Sequence, residues 1–110
     1  MQVEQIRRTI GRVSEESAAA DAYIAVGVVT RFVIDNSLEV VLGRDGTVQT
    51  TEKSTPDLTI RLSSRDVTAL VEGDLSVTRM ITSGRVTAKG PIFQTIAVLR
   101  SLGSLKPEGK

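Results

Sequence analysis

The sequence has 110 residues, 40% hydrophobic and 25% charged, with a formal net charge of +1, the make-up of one globular domain over residues 1–110. It contains no Cys and no His, which excludes disulfides, thiol and imidazole catalysis and Cys/His zinc sites. One Tyr, two Phe and no Trp, with so small a net charge, leave little to stack on or steer nucleic acid.

Residues 1–25 read as a helical segment. The start, MQVEQIRRTI, is polar and charged, unlike a secretory leader, and no apolar run is long enough for stable insertion into a bilayer. The end, PEGK, carries no peroxisomal address; with no Cys, a cytoplasmic location is expected. Val3, Ile6, Ile10 and Val13 recur at helical spacing, with Glu4, Arg7, Arg8 and Arg12 off that stripe, so an amphipathic helix is predicted from about Val3 to Ser17 with its arginines solvated. Gly11 weakens it by about 1 kcal/mol against Ala, so it needs tertiary packing. Ala18 to Ala25 is ambiguous, since its alanines favour helix while Tyr23 and Ile24 favour strand.

From Val26 the period becomes two. Val26, Val28, Phe32 and Ile34 share one face of a predicted strand, with Arg31 and Asp35 on the other. Asn36-Ser37 supplies a turn, Leu38, Val40 and Leu42 a second strand, and Gly43-Arg44-Asp45-Gly46 a hairpin signal. Thr47 to Thr51 reads as a thinner third strand and Glu52 to Pro56 as a polar loop. Leu58, Ile60 and Leu62 alternate in a fourth. Ser63 is the expected N-cap, with Asp66 three residues on, for a short helix carrying Val67, Leu70 and Val71 and stopped by Gly73. Leu75 to Ile81 forms further helical turns, Gly84 punctuates, and Arg85 to Lys89 is a fifth strand with Val86 and Ala88 on one face. Pro91 suits the first turn of a last helix whose expected apolar face is Ile92, Phe93, Ile96, Leu99 and Leu102. Residues 103–110 read as a flexible tail. Without βαβ alternation, this order predicts an α+β fold: a five-stranded, mainly antiparallel sheet with helices covering one face.

The second half resembles the sterol carrier protein type-2 family. Pro56-Asp57-Leu58-Thr59-Ile60-Arg61-Leu62-Ser63 is similar to one of its strands, and Arg65 to Leu75 to its following helix and glycine stop. Met80-Ile81-Thr82-Ser83-Gly84-Arg85-Val86-Thr87-Ala88-Lys89-Gly90 matches its last strand, and Ile92 to Leu102 its closing helix. The ordered set Asp57, Gly73, Gly84 and Gly90 is the most specific part, and the likeness covers about Val26 to Leu102. Met80 and Ile81 are aliphatic where the family often has an aromatic, and Pro91 stands where Asp or Asn is common. The resemblance implies a sterol-carrier-like domain that binds a sterol, fatty acid, acyl-CoA or other lipid between sheet and helices, alone or beside an enzyme, with no shared catalytic residues and no cofactor.

Periodicity alone makes Phe32, Val40, Leu42, Ile60, Leu70, Met80, Ile81, Phe93 and Ile96 a filled core. The resemblance makes the same side chains the lining of an aliphatic ligand pocket. Arg79 and Arg85 near its mouth are candidates for a carboxylate or phosphate head group. Phosphate-binding glycine loops are absent, Glu15-Glu16 reads as solvent-exposed, and Asp35 and Glu39 would repel across a turn. The expected function is therefore non-catalytic binding or presentation of an apolar ligand. The alternatives are an interaction module, with Ala18 to Val29 serving a homodimer or a partner enzyme, and an enzyme using the pocket as a template for cyclisation or isomerisation. Such an enzyme would have only Tyr23, Asp35, Glu39 and the lysines as acids and bases.

Overall fold

In a computed structural model, residues 3–49 and 55–106 are described. Helix α1 (Val3–Gly11) leads through a 3-10 turn (Arg12–Ser14) into α2 (Ser17–Val26). Strands β1 (Thr30–Ile34), β2 (Leu38–Leu42), β3 (Val48–Gln49) and β4 (Leu58–Leu62) follow, then α3 (Ser64–Glu72), α4 (Val77–Thr82), β5 (Thr87–Lys89) and α5 (Ile92–Gly103). The five strands form one sheet in the order β3-β2-β1-β4-β5. The central pair β1–β4 is parallel and the other pairs are antiparallel, so the expected α+β, mainly antiparallel architecture is present.

Register explains the layering. Phe32 stands between Val40 on β2 and Ile60 on β4, and Thr30 stands between Leu42 and Leu58. With Ile34 and Leu62 these side chains are buried in one core with Ile6, Ile10, Val13, Tyr23, Leu99 and Leu102 of the helical layer. Arg31, Glu39, Thr59 and Arg61 occupy the opposite face, where Arg31 Nε meets Glu39 Oε1 at 3.0 Å across β1–β2. The expected repulsion between Asp35 and Glu39 does not arise. Asp35 and Asn36 both have positive φ (53° and 57°), and the turned-out Asp35 carboxylate accepts from Ser64 N at 3.0 Å.

Several boundaries differ from the sequence pattern, each for a local reason. The first helix stops at Gly11 rather than Ser17, because Ser14 Oγ donates back to Gly11 O (3.2 Å) and Glu16 is extended (φ −107°, ψ 119°). Ile6, Ile10 and Val13 still enter the core. Residues 18–25 resolve as helix, and Val26 belongs to α2 rather than to a strand: Gly27, at φ 74°, reverses the chain and pairing begins only at Thr30. Of the expected strand Thr47–Thr51, β3 keeps Val48–Gln49; Thr50, Thr51 and loop residues Glu52 to Ser54 lie outside the described residues.

Ser63 caps α3, its side chain accepting from Asp66 N, and Gly73 ends it at φ 80°. Strand β5 is shorter than expected, since Val86 turns into the core and Arg85 Nη1 reaches Asp66 Oδ1 at 3.3 Å. Gly90 has φ 135°, a conformation that favours glycine, and a Cβ there would sit 2.6 Å from Leu58 Cδ1 and 3.3 Å from Asp57 O, so glycine suits the close passage of β5 by the start of β4. The expected tail is docked as far as it is described: Leu105 is 3% exposed, and Lys106 N donates to Glu16 Oε1 at 2.8 Å.

Candidate functional site: the layer between sheet and helices

Six of the nine expected lining residues come together. Phe32, Val40, Leu42, Ile60, Leu70 and Met80 share one buried cluster, and Ile81 is partly buried against it. Phe32, Val40, Leu42 and Ile60 rise from the inner sheet face, Leu70 comes from α3, and Met80 is the one buried residue of α4. These side chains pack against one another, so a ligand taken up here must displace a covering element.

Phe93 and Ile96 do not join them. Phe93 is 82% exposed and Ile96 half-buried. Helix α5 buries Thr95, Val98, Leu99, Ser101 and Leu102, so of its expected apolar face Leu99 and Leu102 enter the core while Ile92 and Phe93 stay exposed. Ala19 of α2 and Thr95 and Ser101 of α5 are buried, and the two helices pack together. The Thr95 and Ser101 hydroxyls donate within their own helix, to Pro91 O (3.0 Å) and Val98 O (2.6 Å).

Three described clefts lie elsewhere and are lined largely by polar side chains. One of about 540 Å³ runs along α3 past Ser64, Arg65, Thr68 and Glu72. One of about 190 Å³ lies at Thr59, Arg61, Thr87 and Lys89. One of about 290 Å³ lies between Asp35, Arg61, Ser63 and Arg85. None contains a residue of the apolar set. Arg85, expected near the mouth, is engaged by Asp66, while Arg79 sits on exposed α4.

Polar side chains frame the layer, in bonding roles the sequence pattern did not assign to them. Tyr23 is fully buried, its hydroxyl 2.9 Å from Val28 O, 3.1 Å from Leu42 O and 3.1 Å from Thr30 Oγ1. Burial raises its pKa above the usual tyrosine value, against the lowering effect of the Thr30 contacts. The chain's one Tyr within an alanine-rich apolar helix is the available signal, since a buried phenol needs partners. Asp57 Oδ2 accepts from Val29 N (2.9 Å) and from Arg44 Nη2 (3.3 Å), while Arg44 Nε donates to Gly27 O (3.2 Å). Asp57 thus fixes the α2–β1 connection against β4.

The third framing cluster ties the end of α5 to the start of α2. Arg12 is not a solvated arginine: it pairs with Glu16 at 2.8 Å and donates to Lys106 O. Glu16, expected in solvent, is half-buried. Partial desolvation alone would raise its pKa, but the Lys106 amide and the Arg12 guanidinium outweigh that and lower it. Among the described residues no group of His, Cys, Asp and Glu could hold a metal ion, and no helix is long and apolar enough to cross a membrane.

A model of the SCP-2 sterol transfer family matches residues 6–98. A comparison with curated proteins found no match. Among solved structures, sterol carrier protein 2 from Yarrowia lipolytica is 22% identical at a TM-score of 0.64, over 90% of this chain and 84% of that one. Palmitated SCP2L2 from Aedes aegypti is 18% identical at a TM-score of 0.72, over 96% of this chain and 98% of that one. A sec-alkylsulfatase from Pseudomonas sp. is 17% identical at a TM-score of 0.58, over 83% of this chain but 14% of the sulfatase. These likenesses establish the fold.

Proposed function

This chain belongs to the SCP-2 sterol transfer family, and on that premise we propose that it binds and carries an apolar, lipid-like ligand between its sheet and its helices, without reacting it. The observation that carries this reading is the family match over residues 6–98, which spans every element from α1 into α5. The palmitated state of the Aedes aegypti neighbour supports a ligand of the fatty-acid class; sterols and acyl-CoA thioesters are the other classes of suitable character. Phe32, Val40, Leu42, Ile60, Leu70, Met80 and Ile81 are the proposed contacts. They give an aliphatic surface, with the Met80 thioether able to follow ligands of different shape. Each Å² of apolar ligand surface taken from water contributes roughly 25 cal/mol.

The door is α4. It has six residues and one buried side chain, whereas α5 is packed along α2 and fastened at its end by Glu16 and Arg12. A second reading, presentation of the ligand to a partner enzyme, draws support from the sulfatase, one segment of which has this fold.

Native mass spectrometry of the purified protein, followed by lipid extraction, tests the carrier reading. The expected result is a bound mass that extraction identifies as a fatty acid, sterol or acyl thioester. A bare chain that also takes up no added fluorescent fatty acid would overturn it.

A further inference from the structure

The outer face of the sheet has a cationic corner at β4–β5. Thr59 stands opposite Lys89 there, and Arg61 opposite Thr87. Residues directly opposite share a face, so the four form a checkerboard: each cation stands across from a hydroxyl and diagonal to the other cation. On the inner side of the corner, β1 sets Arg31 beside Thr59 and Val33 beside Arg61.

The cations here differ in what engages them. Arg31 pairs with Glu39, and Arg85 with Asp66. Arg61 and Lys89 are exposed and, among the described residues, pair with no carboxylate. They border two clefts that share Arg61 and Thr87. The smaller, about 190 Å³, is lined by the checkerboard and Ala88 and by no acidic residue. The larger, about 290 Å³, continues past Ser63, Asn36 and Asp35. Asp35 Oδ1 accepts from Ser64 N, which fixes the carboxylate and leaves Oδ2 for a ligand hydroxyl. One cleft therefore presents cations and hydroxyls, and the next an amide, a hydroxyl and a carboxylate. No aromatic side chain lines either, so a nucleobase would have nothing to stack on. Two unpaired cations on diagonal positions of one sheet face repel each other, and a dianion between them converts that repulsion into charge-assisted hydrogen bonds.

We propose that this corner is a second binding site, for the phosphate monoester of a small polyhydroxy compound. The phosphate oxygens accept from the Arg61 guanidinium, the Lys89 ammonium and the Thr59 and Thr87 hydroxyls. The hydroxyl groups of the ligand reach Asp35, Asn36 and Ser63 in the adjoining cleft. The site lies on the face of the sheet opposite Phe32, Val40 and Ile60, so it is separate from the apolar layer and does not rest on the carrier reading.

The test is a titration of isotopically labelled protein with glucose 6-phosphate, followed by the amide resonances. Saturable shifts are expected at Thr59, Arg61, Thr87 and Lys89, extending to Asp35 and Asn36. Arg61→Gln combined with Lys89→Gln is expected to weaken binding at least about tenfold, with an unchanged circular dichroism spectrum and unchanged uptake of a fluorescent fatty acid. Resonances of the wild type that do not move at these positions overturn the proposal. So do shifts that sulfate reproduces at the same concentration, which would mean an adventitious ion only, and shifts that survive both substitutions. A protein that carries lipid but shows no such shifts removes this site alone; one that shows them but carries no lipid removes the carrier reading alone.

Discussion

The two sides of the helical layer are held by different means. On the α2–α5 side, large side chains and polar locks act together: Tyr23, Leu99 and Leu102 are fully buried, the Tyr23 hydroxyl ties α2 to β1 and β2, and Glu16 fastens the end of α5. On the α4–β5 side, Met80 is the single buried residue of a six-residue helix, and all of β5 is exposed. Local opening follows the number of apolar contacts and buried hydrogen bonds that must be broken, so the second side is the easier to open, and it is the door of the proposed carrier.

Cavity-forming substitutions break this comparison most severely. Leu99→Ala and Met80→Ala both empty a fully buried site, where such changes cost about 2–5 kcal/mol depending on how far the surroundings collapse. Leu99→Ala is expected near the top of that range and Met80→Ala near the bottom, because α4 can settle into the gap. Urea denaturation reads both; equal losses would abolish the distinction between the two sides.

Tyr23→Phe comes next. It leaves Val28 O and Leu42 O without the phenolic donor, at about 1–3 kcal/mol. Folding raises the Tyr23 pKa, so the stability tied to its neutral form is complete below the ordinary value of about 10 and is lost as pH rises beyond it. The advantage of wild type over the variant in thermal melts should therefore shrink as the solution becomes more alkaline. An advantage that grows with pH would contradict the burial argument.

Glu16→Gln is the smallest change, expected at no more than about 1 kcal/mol for a partly exposed pair. Folding lowers the Glu16 pKa, so its contribution is present above the ordinary value of about 4.3 and is lost as pH falls through the folded value. Melts should separate wild type and variant at neutral pH and superimpose in acid. Separation that persists in acid would mean the carboxylate charge is not what fastens α5.

The comparison also shows what could be read in the sequence. Ser63 and Gly73 were legible as the ends of α3 because capping and left-handed stops are local chemistry. The family motif was legible for the same reason: Asp57 fastens a loop, and Gly90 leaves room for Leu58. The sheet members of the apolar set followed from alternation, which fixes a face once one face is buried. The rotation of α5 did not follow. Leu99 and Leu102 of the expected face are buried, but Ile92 and Phe93 are exposed and Thr95, Val98 and Ser101 complete the buried stripe instead, a choice that depends on packing against other elements and that no pattern within α5 reveals. The Arg12–Glu16–Lys106 lock joins residues about ninety positions apart, beyond the reach of any local signal.

The most direct test of a ligand layer opened through α4 is the affinity of the Ile81→Trp protein for a fluorescent fatty acid, relative to wild type. Ile81 lies on the proposed door, partly buried against the core, so the larger ring should occupy ligand space before it strains the fold. The account predicts an affinity at least tenfold lower, about 1.4 kcal/mol, with the melting temperature nearly unchanged. A wild type that binds no fatty acid, with a variant destabilised by the 1–3 kcal/mol typical of an overpacked core, would contradict it: the apolar set would then be core alone.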